Sequence, residues 1–225
     1  MSGRAVFVAG AGTEIGKTYV TAALTRRLSE QGRDVIALKP LASGVPPLDD
    51  PAFIESDTAI LLAAQDLAVT SETVEACSPW RFSAALAPDL SAAREGRVLR
   101  LDDLVAWCRH RMAEAPDGTI VLIEGVGGLM SPVTDGETGL DWLKALDIPA
   151  LLVTGSYLGA ISHTLTAVET MRHHGVPLVG VVLCESLGAP TPPEMVAAAI
   201  ARRIPVPVEI IARGGPCPAP VAALI

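Results

Sequence analysis

The chain has 225 residues, half of them hydrophobic, and a formal net charge of −8 at pH 7. That length suits one well-packed core and is short for two ordinary domains, so a single domain over 1–225 is expected. The acidic balance argues against nucleic acid and anionic membrane surfaces as partners, because both demand clustered Lys and Arg, and no apolar run approaches the roughly 18 residues of a membrane span, which predicts a cytoplasmic protein.

Taken in chain order, short apolar β-branched runs alternate with longer amphipathic stretches. This is the pattern of an α/β fold, a doubly wound, mainly parallel sheet with helices on both faces. Strands are predicted at 5–9, 35–38, 120–124, 150–154, 179–184 and 206–210, and helices at 17–31, 57–64, 101–115, 139–145, 159–174 and 193–203. Gly32 and Gly175 stand where helices commonly stop. Segments 42–56 and 78–96, richer in Pro, Ser and charge, read as active-site loops, and 214–225 carries no interpretable pattern. Cys77, Cys108, Cys184 and Cys217 form no C-x-x-C pair and read as reduced thiols without a metal.

Between the first strand and the first helix stands Ala11-Gly12-Thr13-Glu14-Ile15-Gly16-Lys17-Thr18. Strand, glycine turn and helix in that order make a phosphate-binding P-loop. Glycines let successive N–H groups face one concavity, the helix N-terminus adds partial positive charge, Lys17 reaches the outer phosphates, and Thr18 can hold Mg²⁺. The strict pattern begins with glycine, a place held here by Ala11.

Ligands of such sheets bind beyond the carboxyl ends of the strands. Two further segments carry chemistry on that rim. Lys39-Pro40-Leu41-Ala42-Ser43-Gly44 sets a lysine and a serine after the second strand, and Glu124-Gly125-Val126-Gly127-Gly128 ends an apolar strand on a carboxylate. Mg²⁺ prefers oxygen ligands and takes one or two carboxylates beside phosphate, which suits Glu124. Asp57 taken alone reads equally well as the N-cap of the helix it opens.

These motifs, with Ser56-Asp57 and Leu158-Gly159-Ala160-Ile161-Ser162-His163 in the same order, resemble the dethiobiotin synthetase family over residues 5 to about 207. The P-loop alone fits many NTPases, whereas Lys-Pro-x-x-Ser-Gly after the second strand narrows the choice. The resemblance implies a P-loop NTPase fold and a homodimer with each active site near the subunit interface. It also implies ATP-dependent closure of a cyclic urea, from 7,8-diaminononanoate, CO₂ or bicarbonate and ATP to dethiobiotin, ADP and phosphate. Lys17, Lys39 and Ser43 would act in catalysis, Gly12, Thr13, Glu14, Ile15, Gly16, Lys17 and Thr18 would cradle ATP, and Thr18, Asp57 and Glu124 would gather Mg²⁺. Ser43, the N–H groups of Gly127 and Gly128, and the helix start at Leu158, Gly159 and Ser162 would meet the substrate, the last three across the dimer interface.

Two departures from the family pattern stand out. Ser162 replaces an Asn before His163, and Cys184-Glu185-Ser186 replaces an Asn-Asp-like pair that reads adenine. A thiol lacks an amide's paired donor and acceptor, so although Cys184 stands at the nucleotide site, base specificity falls to Glu185 and to backbone groups of 204–207, Pro205 and Val206 among them, or is lax. His163, on a helix face beside Ile161 and Leu165, reads as a packed or hydrogen-bonded residue, and His173 and His174 as partners of a helix C-terminal dipole. The alternative function is a regulatory ATPase switch of the ParA/MinD type, which carries an extra lysine where this chain has Gly12. An amide-forming P-loop ligase of another kind would need a glutaminase domain that 225 residues do not accommodate.

Overall fold

The computed structural model describes residues 4–225. The chain opens with β1 (Arg4–Gly10), whose Val6, Phe7, Val8 and Ala9 are buried, and passes through the P-loop into α1 (Lys17–Glu30). β2 (Val35–Leu38), β3 (Leu41–Ser43), a 3-10 turn at Pro51–Glu55 and α2 (Asp57–Ala64) follow. Ser56, not Asp57, caps α2, its hydroxyl accepting the Ala59 N–H at 3.2 Å. Asp57 is thereby the first helical residue, with its carboxylate spare. Then come α3 (Ser71–Cys77), β4 (Trp80–Phe82), α4 (Pro88–Arg94), α5 (Leu101–Glu114), β5 (Ile120–Glu124) and α6 (Gly139–Leu146). The chain continues through β6 (Ala150–Gly155), α7 (Ala160–His173), β7 (Leu178–Cys184), α8 (Pro193–Ala201), β8 (Val208–Ile211) and α9 (Ala219–Ala222).

Six strands pair in the order β2-β5-β1-β6-β7-β8, every pair parallel. All six end on one edge, and the strand order reverses around β1, where a ligand crevice opens. Side chains alternate between two cores. Phe7, Val121, Ile123, Leu152 and Val181 pack with α5, α6 and α7, whereas Val6, Val8, Leu122, Leu151 and Val182 lie beneath α1 and α9. Trp142 of α6 is fully buried and meets Phe7 edge to face, ring centroids 5.0 Å apart. This cover on both faces is why the strands read as unbroken apolar runs.

The predicted strands and helices end within two residues of their observed bounds. The largest shift at a strand start is in β8, which begins at Val208, because Pro205 and Pro207 have no N–H to give a ladder. The two segments read as loops hold more structure than expected. β3 and β4 pair in parallel, Leu41 opposite Trp80 and Ser43 opposite Phe82, and α4 follows them. Residues 214–225, without pattern in the sequence, form α9 and bury Cys217, Val221, Ala222 and Ile225 beneath α1. Among the described residues no helix is long and apolar enough to cross a membrane, and all four cysteines are free and buried.

Candidate active site

The P-loop is fixed from below. Ala11 donates its N–H to the Val153 carbonyl at 2.9 Å, and a Cβ on Gly10 would come within 2.8 Å of the Gly12 carbonyl. Gly16 has φ 92°, and a Cβ there would sit 2.6 Å from Cys184 Sγ, so glycine is required on both counts. Glu14 also takes a left-handed φ of 56°, a strain that non-glycine residues hold mainly at functional loops. No side chain caps α1. Its first N–H groups are left for an anion.

Lys17 is buried, and Nζ donates to the Gly12 carbonyl at 3.1 Å. Burial first, then repulsion from Lys39, pushes its pKa down to about 8. Thr18 donates to Glu124 Oε1 at 2.7 Å.

Lys39 leaves the end of β2 and is only 3% exposed. Its N–H donates to the Cys77 carbonyl at 3.1 Å, and its own carbonyl accepts from the Ser78 hydroxyl, so the end of α3 clamps its backbone. Nζ lies 2.6 Å from Glu124 Oε1 and 3.0 Å from Asp57 Oδ2, and donates to the Gly125 carbonyl at 3.1 Å. Burial alone would neutralise this ammonium, yet the charges of Glu124 and Asp57 outweigh it and raise its pKa above the usual lysine range. Asp57 is held below the usual carboxylate range, since Lys39 and the Thr18 hydroxyl more than offset its own burial.

Glu124 is fully buried, and its Oε2 has no partner. Thr18, Asp57 and Glu124 form an all-oxygen donor set with this buried oxygen unspent, which fits Mg²⁺. Among the described residues no group of three or more His, Cys, Asp and Glu is placed to hold a metal ion, so the set depends on the Thr18 hydroxyl beside two carboxylates.

Two cavities share the P-loop as a wall. One, of about 630 Å³, is lined by Lys17, Thr18, Lys39, Ser43, Asp57, Gly127 and Ser131 with the apolar run 85–88. The other, of about 900 Å³, runs over Gly12–Gly16 to Tyr157, His163, Cys184, Glu185, Arg213 and Gly214. The glycine turn between strand and cavity is already tied. Gly128 donates its N–H to Ser131 Oγ at 2.8 Å, and Leu129 donates to the Gly10 carbonyl at 2.8 Å. The Gly128 N–H expected to meet substrate is therefore spent, while Gly127 lines the cavity. Ser131 was missed in the sequence, although a hydroxyl three residues after a glycine turn is a known local bond.

On the larger cavity's side, Glu185 Oε2 accepts the Arg213 N–H at 3.0 Å, and Ser156 and Ser186 exchange two N–H to hydroxyl bonds of 3.0 Å each. Tyr19 of α1 donates to the Ala212 carbonyl at 3.3 Å and also contacts the Gly215 carbonyl. Cys184 and Glu185 do line this cavity; Pro205 and Val206 do not. They precede β8, which runs parallel to β7 with Val208 opposite Val181, so they sit at the strand's entry end, away from the rim. Residues just after β8, Arg213 and Gly214, take that position instead.

Leu158, Gly159 and Ser162 open α7, are exposed, and line neither cavity. His163 is hydrogen-bonded through Nδ1 to the Tyr157 hydroxyl at 2.9 Å, and the rings of His173 and His174 stack edge to face at the other end of α7.

A family model described as AAA domain matches residues 4–213. The ATP-dependent dethiobiotin synthetase BioD of Methylobacterium nodulans is 69% identical over 214 residues, covering 95% of each chain. That of Acidiphilium cryptum is 41% identical over 208 residues, 91% of each chain. Among solved structures, a ParA family ATPase from Chlorobium tepidum has a TM-score of 0.52 at 12% identity, covering 95% of this chain and 85% of its own. Chloroplast FtsY from Physcomitrella patens has a TM-score of 0.55 at 19% identity, covering all of this chain and 66% of its own. At those identities the likeness is one of fold alone.

Proposed function

This chain belongs to the dethiobiotin synthetase family, and from that premise we propose how its residues divide an ATP-dependent ring closure among themselves. The reaction takes 7,8-diaminononanoate, CO₂ and ATP to dethiobiotin, ADP and phosphate. One substrate amine captures CO₂ as a carbamate. A carbamate oxygen attacks the γ-phosphorus and displaces ADP; the second amine then attacks the carbonyl carbon of the mixed anhydride and expels phosphate. Every intermediate is anionic, so preset positive charge and alignment are what the protein must supply.

The observation that carries this assignment is a buried Lys39 on the same cavity wall as Lys17, Ser43 and the P-loop. Lys17 and the free N–H groups of α1 hold the β- and γ-phosphates. Lys39 holds the carbamate and the transferring phosphoryl group, and Ser43 hydrogen-bonds the amine or carbamate. Ser131 keeps the glycine turn in shape beside them. Mg²⁺, when bound, neutralises phosphate charge, and Thr18, Asp57 and Glu124 are the residues that would hold it.

The nucleotide's base extends toward Cys184 and Glu185 in the larger cavity. Glu185 spends one carboxylate oxygen on Arg213 and keeps the other for the base. A single acceptor with no amide beside it reads bases weakly, so ATP is used but CTP is tolerated. A Cys184→Asn variant should raise the ATP-to-CTP turnover ratio; an unchanged ratio would remove this site from base selection.

The chain works as one domain, in the cytoplasm, and as a homodimer. Leu158 is 87% exposed at the start of α7, which supports a second copy seated there, with Gly159 and Ser162 turned toward that copy's substrate. The switch-ATPase alternative is left with a distant likeness of fold.

The deciding assay combines protein, 7,8-diaminononanoate, bicarbonate, Mg²⁺ and ATP, and follows phosphate and dethiobiotin mass together. Phosphate release indifferent to the diamine would overturn the assignment.

A further inference from the structure

Lys39 and the incoming metal claim the same oxygens. Nζ is 2.6 Å from Glu124 Oε1 and 3.0 Å from Asp57 Oδ2, and the Thr18 hydroxyl is committed to that same Glu124 oxygen at 2.7 Å. Each of the three groups assigned to Mg²⁺ is thus tied, directly or through one shared atom, to a single buried ammonium. We propose that Lys39 is a built-in counter-ion that closes the metal site to free Mg²⁺, so that the metal enters only together with a nucleotide, a proposal that rests on Thr18, Asp57 and Glu124 being the metal set.

Charge balance gives the reason. Asp57 and Glu124 carry two negative charges, and Lys17 and Lys39 carry two positive ones, so these four groups balance, while Glu14 on the same cavity is exposed to water. A divalent cation entering alone adds two positive charges beside an ammonium only 3% exposed, which water reaching the half-exposed Asp57 disperses only in part. A metal–triphosphate complex is net negative and meets no such penalty.

Only the side chain of Lys39 has to move. Its N–H and carbonyl stay clamped by Cys77 and Ser78, while Nζ also donates to the buried Gly125 carbonyl. Displaced from the carboxylates, the ammonium turns into the cavity where carbamate and γ-phosphate meet. Glu124 Oε2, buried and unpartnered, is left unspent by the lock. The catalytic charge is thus delivered after the nucleotide has arrived and not before.

Mn²⁺ as the probe, its free ion counted by electron paramagnetic resonance, tests this without turnover. Lys39→Met should bind Mn²⁺ alone at least about tenfold more tightly than the wild type, and Lys39→Arg, which keeps the charge, should stay weak. Equal affinity of wild type and Lys39→Met for Mn²⁺ alone, with tight binding of Mn²⁺ and ADP by the wild type, would overturn the lock and spare the metal assignment. Failure of the metal assignment has its own signature: Glu124→Gln leaving Mn²⁺ binding with ADP unchanged. Should Lys39→Met not fold by circular dichroism, Lys39→Gln takes its place with the same reading: Mn²⁺ alone bound at least about tenfold more tightly than by the wild type supports the lock, and equal affinity overturns it.

Discussion

Two buried ammonium groups a few residues of space apart are pushed in opposite directions. Lys39 faces two carboxylates and is held charged; Lys17 faces a carbonyl and another cation, and its pKa falls to about 8. In the free protein Lys17 is therefore charged at neutral pH and loses its proton as pH rises through about 8. Bound phosphates favour the charged form, so above that pH nucleotide binding takes up a proton, and affinity falls by up to about tenfold per pH unit; below it this dependence is flat. Calorimetry with ADP in EDTA, in two buffers of different ionisation enthalpy near pH 9, measures the uptake directly. No proton uptake there would contradict the assigned environment. Lys39→Ala should fold and still bind ADP, yet lose about 10²- to 10³-fold in ring-closure turnover, the usual loss for one preset electrostatic group. Retention of full activity would take Lys39 out of the chemistry.

At the scale of elements, α6 and the glycine turn support the site from behind. Trp142→Ala removes the fully buried indole that braces Phe7, and should cost about 3–5 kcal/mol in urea unfolding. Ser131→Ala strips the Gly128 N–H of its acceptor and should cost about 1–3 kcal/mol. Its KM for the diamine should rise more than its kcat falls, with Ser131→Thr restoring both. The six long strands and the helices between them were legible because each is an apolar run or an amphipathic repeat long enough to show its period. β3 and β4, three residues each, are too short to show one, and they shape the backbone around Lys39 and Ser43. That Lys17, Thr18, Lys39 and Glu124 come together was legible, because each ends a strand on the rim or opens the helix behind the P-loop. Ser131 and Arg213 were not, since their places depend on a turn closing back and on where β8 starts. Pro205 and Val206 were misplaced although they stand at the entry end of this strand under either start, and only residues beyond its carboxyl end reach the rim.

For the whole molecule, the proposed dimer makes an asymmetric demand. If α7 of one copy completes the other copy's cavity, Lys39→Ala and a blocking Ser162→Trp are each inactive alone, and mixing them should restore about a quarter of wild-type activity through heterodimers with one intact site. No recovery, with exchange verified by mass, would place the substrate within a single subunit. The Tyr19 hydroxyl adds a connection of another kind. It ties α1, whose first turn is proposed to hold the phosphates, to Ala212 and Gly215, the stretch proposed to lie beside the base. On that proposal both ends of a bound nucleotide would press on one mechanical link. Hydrogen–deuterium exchange should slow on adding ADP across 212–222 as well as in the P-loop, and Tyr19→Phe should leave the loop's protection while erasing the tail's.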